Sequence, residues 1–445
     1  MRDLGLAATI MAFLGLGLVS PFILTLGYVW TDTFYPQWLS FSVFQGAPIS
    51  AVMGVAAIGG YLLLDRRAPP RPTLTFILIV AFAGWITATC SWAAAPDQAW
   101  IKWNWAFKTV LFSAFVPFAI RSRVQIEALL QVYLFSAAGH LLPWGVKTLV
   151  DGGGYNRPLG LLGVNAGAFG ESSMVAATII MLIPLVLALR RHSILIPSAQ
   201  ARNAAYIGFV VIGAFGAIGT YARTAIIGAG VMVAGLLLHS RRKMLFLLIA
   251  IPIAFGLSVV LTTRWMARIS TIENPVADTS ADTRLIIWQW TLNYVDKHPL
   301  GGGFYVHSTS QIAVPIPGQE QPMIEHGRAP HSIYFEVLGE HGWVGLGLFL
   351  AVPLSSLLAL MRTSRRCRGR EELAWCRDLA KATQISIVTI MACGAFIGIS
   401  YQPTLWDLFA LSICLSEYSR RYLAEEARQR TAVPRRRTAL RPAVA

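Results

Sequence analysis

The chain has 445 residues, 55% of them hydrophobic and only 13% charged. Soluble chains carry about 25% charged residues, so this composition excludes an ordinary soluble protein. Apolar runs recur along the whole length, which defines a polytopic membrane protein. The formal charge of +15 does not signal nucleic acid. Most of the 37 lysines and arginines fall in short segments between apolar runs, as the positive-inside rule requires.

In chain order, the first apolar run covers residues 4–28. It is longer than a signal-peptide core of about 7–15 residues and has no small-residue cleavage site after it, so it reads as the first span. Eleven further helical spans are expected at 41–64, 74–92, 104–120, 126–149, 172–189, 204–219, 223–239, 244–262, 333–360, 383–400 and 404–423. The expected fold class is therefore an all-α polytopic membrane protein with about 12 transmembrane helices and one large periplasmic loop. Residues 1–262 hold spans one to nine, 263–332 the loop with an interfacial helix, 333–423 spans ten to twelve, and 424–445 a basic cytoplasmic tail. With the N-terminus in the cytoplasm, every even-numbered connection is basic, for example Arg66, Arg67 and Arg71, or Arg190, Arg191 and Arg202. Both termini are then expected in the cytoplasm. The cysteines Cys90, Cys367, Cys376, Cys393 and Cys414 form no C-x-x-C pair, so neither a disulfide framework nor a thiolate metal site is expected.

Ten basic residues fall at or near the outer face against that bias, among them Lys102, Lys108, Lys147, Arg157, Arg223, Arg284 and Arg328. Some of these suit interfacial anchors that snorkel, and others an anionic ligand. Within the outer loop, "DTSADTRLIIWQWTLNYVDKHPLGGG" places Leu285, Trp288, Leu292 and Val295 at helical spacing. Ser280 or Asp282 suits the N-cap, and Pro299 with Gly301–Gly303 stops the helix. Trp288, Trp290 and Tyr294 suit a helix lying on a membrane surface. The following "VPIPGQEQPMIEHGRAP" reads as irregular and delivers the chain to His331.

His331 stands at the N-terminal end of span ten, where the positive helix end favours a neutral imidazole suited to act as a base. Glu336 and Glu340 are four apart and share a helix face. Carboxylates inside a span are costly and face the protein interior, so their expected role is structural, orienting the span. Gly342, Gly345 and Gly347 suit close helix packing. Arg223 lies in "GTYARTAIIGAG" between spans seven and eight, Arg284 in the first turn of the loop helix, and Arg157 in "GGGYNRPLGLLGVNAG". Guanidinium groups hold phosphate oxygens bidentately. There is no Walker A motif, no D-x-D and no cluster with metal-ligand spacing. No cofactor or metal is therefore expected, and arginines are the groups available to stabilise anionic charge. One histidine base and several outward arginines fit transfer of a sugar from a lipid diphosphate to an acceptor hydroxyl, with inversion and without a nucleotide.

"HSIYFEVLGEHGWVG" (His331–Gly345) resembles the His-Asn-x-x-Leu-x-x-x-x-Glu-x-Gly-x-x-Gly signature of the O-antigen ligase and polymerase superfamily. Ser332 stands where Asn is usual and Phe335 where Leu is usual. "YARTAIIG" and "TRLIIWQWTLNYVDKHPLGGGF" resemble two further segments of that superfamily, in its order. The resemblance implies a GT-C-like glycosyltransferase in the bacterial inner membrane with its site facing the periplasm. It implies His331 as the base, Arg223 and Arg284 as diphosphate-binding arginines joined by Arg157 and Arg328, and Ser332, Glu336 and Glu340 as orienting groups. The implied donor is an undecaprenyl-diphosphate-linked glycan, the favoured acceptor lipid A–core, and the surroundings membrane lipids; nucleic acid is not a partner. Polymerases and protein O-glycosylation ligases share the donor. A transporter of the lipid-linked sugar is the competing class, for which charges spread along spans and internal repeats are the expected marks.

Overall fold

The computed structural model describes residues 2–40, 42–151, 171–239, 279–314 and 323–432. The expected span at 244–262 and the candidate Arg157 lie outside the described residues.

The apolar runs form helices: α1 (Arg2–Val19), α2 (Phe22–Phe34), α3 (Pro36–Leu39), α4 (Ile49–Leu64), α5 (Leu74–Ala88), α6 (Pro96–Ala119), α7 (Arg123–Asp151), α8 (Ser172–His192), α9 (Ala199–Gly219) and α10 (Arg223–His239). After them come α11 (Thr279–Lys297), α12 (Ile333–Arg366), α13 (Ala374–Gly394) and α14 (Pro403–Ala432). Among the described residues, six are long and apolar enough to cross a membrane: Arg2–Val19, Leu74–Trp92, Arg123–Val150, Ser172–His192, Ala199–Gly219 and Ile333–Arg366. The helices at the other expected positions are shorter or more polar. Large apolar side chains such as Leu18, Val19, Leu62 and Leu63 point outward, a surface that suits lipid and not water.

Contacts along helix pairs define two faces. The helices α5 and α12 run antiparallel, with Thr75 bonded to Ser355 at 3.0 Å and the Trp85 indole donating to the His341 carbonyl at 2.9 Å. At one face lie the starts of α6 and α12, where Lys102 meets Glu336. At the other, Arg67 donates to Ala119 O and Arg421 to Arg121 O. The first is called the loop face and the second the basic face. Between lipid-facing helices, packing and not hydrophobic burial drives association, so small residues mark the closest approaches. At Gly145 of α7 a methyl group would collide with the Ile212 carbonyl oxygen of α9.

Three expectations are corrected. The run 4–28 is not one span. It breaks at Ser20–Pro21, and α1 and α2 fold back on each other, with Gly17 against Leu24 and Phe13 against Trp30. Ser20 and Pro21 sit within uninterrupted apolar sequence, so hydropathy alone joins the two helices, although a Ser-Pro pair is a turn signal. As a consequence the start of α1 and the described end of α14 lie at opposite faces. Asp3 accepts from the backbone N–H groups of Ser42 and Val43 at the loop face, whereas α14 ends beyond the Arg421 contact at the basic face. That last helix also runs past the expected tail boundary at 424, to Ala432.

The all-α expectation also fails locally. "QIAV" and "MIEH" pair as antiparallel strands β1 (Gln311–Val314) and β2 (Met323–His326), with Gln311 opposite His326 and Val314 opposite Met323. Ile312 and Val314 pack on Ile287 of α11. The buried stripe of that helix is Thr283, Ile287, Thr291 and Val295, and Leu285 is exposed. It differs from the expected stripe because two of its buried members are threonines. The Thr291 hydroxyl is satisfied by donating to Ile287 O at 2.8 Å, which lets a polar residue face the interior.

Candidate functional site

Helix α12 is interrupted where the chain needs it to be. Gly342 adopts φ 66°, ψ −167° in the middle of it, a conformation that suits glycine. The segment Pro299–Gly303 fills the interruption as a backbone plug. Gly302 N–H donates to Gly339 O at 3.0 Å, Gly303 N–H to Glu340 O at 2.8 Å, and Trp343 N–H to Pro299 O at 3.0 Å. The carbonyls and amide freed by the kink thus find partners, as buried backbone groups must. The Gly301–Gly303 run therefore does more than stop α11: it joins the outer segment to α12.

His331 precedes this helix. Its backbone is left-handed, with φ 47°, a region where histidine is enriched among non-glycine residues. Ser332 is the N-cap; its carbonyl accepts from Glu336 N–H at 2.8 Å, while its hydroxyl is buried with no partner among the described residues. The His331 side chain is 34% exposed, with Nδ1 4.0 Å from Glu171 Oε1. Its pKa is lowered from 6.5, first by burial and then by the positive charges of Arg284 and Arg328, against the opposing pull of Glu171 and Glu336. The imidazole is therefore held toward its neutral form near pH 7 by desolvation and two arginines.

Glu336 and Glu340 point inward together, as their spacing requires. Their cation is Lys102 of α6, whose ammonium stands 2.7 Å from Glu336 Oε1 and 2.7 Å from Glu340 Oε1. Ser400 donates to Glu336 Oε2 at 2.6 Å, Tyr401 to Glu340 Oε2 at 3.1 Å, and the Tyr305 amide to Glu340 Oε1 at 3.0 Å. The rings of Phe304, Tyr305 and Tyr401 surround the ammonium at 5.0–5.6 Å. Next along α12, His341 is fully buried and pairs its Nδ1 with Thr89 Oγ1 at 2.7 Å.

The remaining candidates divide. Arg284 and Arg328 act electrostatically on His331, and Arg328 also pairs with Glu325 at 3.2 Å. Arg223 opens α10 on the same face. The carbonyl of its neighbour Thr224 accepts from Cys393 Sγ at 3.7 Å, and Gly394 packs against Ile333, so Arg223 sits one helix away from the His331 region. Sequence reasoning missed Glu171 and His307, and left Lys102 among the outer basic residues, divided between interfacial anchors and anion binding, without pairing it to the two glutamates. The signal for Lys102 was present: a lysine just before a span faces two carboxylates with no other assigned partner. His307 is buried, bonds Thr291 at 3.1 Å, and is held neutral by burial with a pKa near 3. Among the described residues, no group of three or more His, Cys, Asp or Glu side chains is placed to hold a metal ion.

Fold and site together describe a polytopic, mostly helical membrane protein with a half-exposed neutral histidine at one mouth of the bundle, flanked by arginines. Residues 208–350 match the model of the family described as O-antigen ligase, which supports the resemblance read from the sequence. That stretch contains Arg223, Arg284, Arg328, His331, Glu336 and Glu340. Residues 1–194 match the model of a family of unknown function (DUF5935). The search of curated proteins returned no match to the chain.

Proposed function

We propose that the chain transfers O-antigen polysaccharide from undecaprenyl diphosphate to a sugar hydroxyl of lipid A–core at the periplasmic face of the bacterial inner membrane. The observation that carries this reading is His331, partly open to solvent, kept neutral, and set beside Arg284 and Arg328. A neutral imidazole takes the proton of the acceptor hydroxyl as its oxygen attacks the anomeric carbon. The carbon–oxygen bond to the diphosphate breaks on the opposite side, which inverts the centre. Arg223, Arg284, Arg328 and Arg157 bind the diphosphate and offset the charge that grows on it as it leaves. Glu336, Glu340 and Ser332 orient the helix start that carries the base. The cleaved glycosyl diphosphate supplies the driving force, so neither nucleotide nor metal ion is required.

The test is a purified transfer assay with lipid-linked glycan and lipid A–core, comparing wild type with His331→Ala in the presence and absence of a chelator. Glycan laddering on lipid A–core that survives chelation and vanishes in the variant supports the reading. Longer glycan on the carrier identifies a polymerase, and glycan on a serine or threonine of a protein identifies a protein ligase. Carrier-linked glycan that crosses the bilayer unchanged identifies a transporter. Activity lost to chelation and restored by a divalent ion overturns the metal-free step.

A further inference from the structure

Lys102 is 6% exposed, and a buried ammonium is costly unless it is paired. Here it joins four separate pieces of chain. It comes from α6, holds Glu336 and Glu340 on α12, and lies against the ring of Tyr401 from the α13–α14 turn and the rings of Phe304 and Tyr305, which directly follow the plug. Among the described residues, the lysine and arginine ion pairs of both carboxylates run to Lys102. Two carboxylates against one ammonium leave a net negative charge, which Ser400, Tyr401 and the Tyr305 amide solvate. Glu336 lies just over one turn from His331, and its charge is felt there.

We propose that Lys102 is a positioning residue for the His331 centre: its ammonium locks the first two turns of α12 onto α6 and balances the Glu336 charge beside the histidine. The inference rests on the reading of His331 as the base. The geometry explains why a helix whose middle is broken at Gly342 still presents a fixed first turn. The upper part of α12 is held by ion pairs and by the backbone plug in place of a continuous hydrogen-bond ladder. The charged groups that face His331 are Glu171 before α8, Arg284 of α11, Arg328 after β2 and Glu336 of α12. Of these, Glu336 is the one that Lys102 holds.

The experiment uses the full-length protein in membranes or detergent, with the transfer assay above. Lys102→Met is expected to lower kcat by about 10- to 100-fold, as a base displaced by about an ångström does, with KM for the lipid-linked donor little changed. The acid limb of its pH–rate profile moves to higher pH, because Glu336 loses its counter-ion and holds a proton on His331 more strongly. Lys102→Arg, which keeps the charge, recovers part of kcat and restores the limb. Should Lys102→Met fail to fold, Glu336→Gln gives the same information with opposite sign, its limb moving to lower pH. An acid limb that stays in place in both Lys102→Met and Glu336→Gln overturns the proposal, while an active His331→Ala overturns the reading on which it rests.

Discussion

Trp288 of α11 lies stacked on Phe335 of α12, with ring centroids 4.8 Å apart and planes 7° from parallel. Its indole N–H donates to Pro330 O at 2.8 Å. The two contacts straddle His331 and clamp the chain on either side of it. The left-handed backbone of His331 is thereby held by its neighbours. An aromatic pair contributes about 0.5–1.5 kcal/mol beyond area burial, and a hydrogen bond about 1 kcal/mol. Trp288→Ala is therefore expected to lower transfer by about tenfold through misplacement of the base, with the bundle still folded. Trp288→Phe, which keeps the stack and loses the bond, should fall between. Amide exchange of residues 328–335 reports the loosening directly, and a Trp288→Ala protein with wild-type rate and protection would show that the clamp does not hold the base.

The pH dependence of transfer follows from His331. Its pKa is depressed below 6.5, and the base needs the neutral form. Activity is then present above the folded pKa and lost as pH falls through it, so the acid limb lies below pH 6.5. Glu171 pulls that pKa upward, so Glu171→Gln should move the limb to still lower pH while leaving the plateau rate intact. The limb is read from initial rates between about pH 4.5 and 8.5, the bounds being about two units either side of an ordinary histidine. A limb above 6.5 would show that the imidazole is not held neutral by its surroundings.

Much of this arrangement is legible in the sequence, and the losses have physical causes. Apolar runs announce helices because a lipid-facing helix must close its own hydrogen bonds. The same signal cannot separate α1 from α2, since Ser20 and Pro21 cost little hydropathy while they reverse the chain. Spacing alone puts Glu336 and Glu340 on one face, but says nothing of which cation meets them; Lys102 comes from 234 and 238 residues away. The threonines Thr283 and Thr291 hide the buried stripe of α11, because a polar residue there breaks the apolar spacing that marks an inward face. The strands β1 and β2 are four residues each, too short for alternation to stand out among prolines and glycines. Gly342 is visible in the sequence as a glycine, but the filling of its kink by Pro299–Gly303 depends on tertiary contact.

His307 makes the loop-face segment acid-sensitive. Its pKa is about 3 in the folded chain because it is buried, against about 6.5 when unfolded. The unfolded form binds the extra proton between these values, so stability is full above pH 6.5 and declines as pH falls toward 3. At pH 5 the loss is about 2 kcal/mol, taken as an upper bound. It should appear as local opening of α11 and the segment Val306–Thr309, not as collapse of the bundle. Hydrogen exchange at pH 7 and pH 5 measures it. His307→Gln can still bond Thr291 but cannot titrate, so its exchange should lose the pH dependence; an unchanged dependence would assign the effect to another group.

The last expectation concerns the plug. A Cβ at Gly342 would overlap Pro299 O and stand 2.6 Å from Gly301 N, and the residue's φ of 66° with ψ −167° lies in a region that costs a non-glycine residue about 1–3 kcal/mol. Gly342→Ala thus carries backbone strain and a steric clash with a segment that is itself hydrogen-bonded to α12. The cheapest relief is withdrawal of Pro299–Gly303, which would strip partners from Gly339 O, Glu340 O and Trp343 N–H. Gly347, five residues on, has open space where a methyl group would go, with nothing within 4 Å, so Gly347→Ala tests helix substitution without the clash. We expect Gly342→Ala to lower the detergent melting temperature by several degrees and to depress transfer, and Gly347→Ala to melt at or above wild type. Equal melting of the two variants would mean that the helix break tolerates a side chain and that the plug does not hold the site.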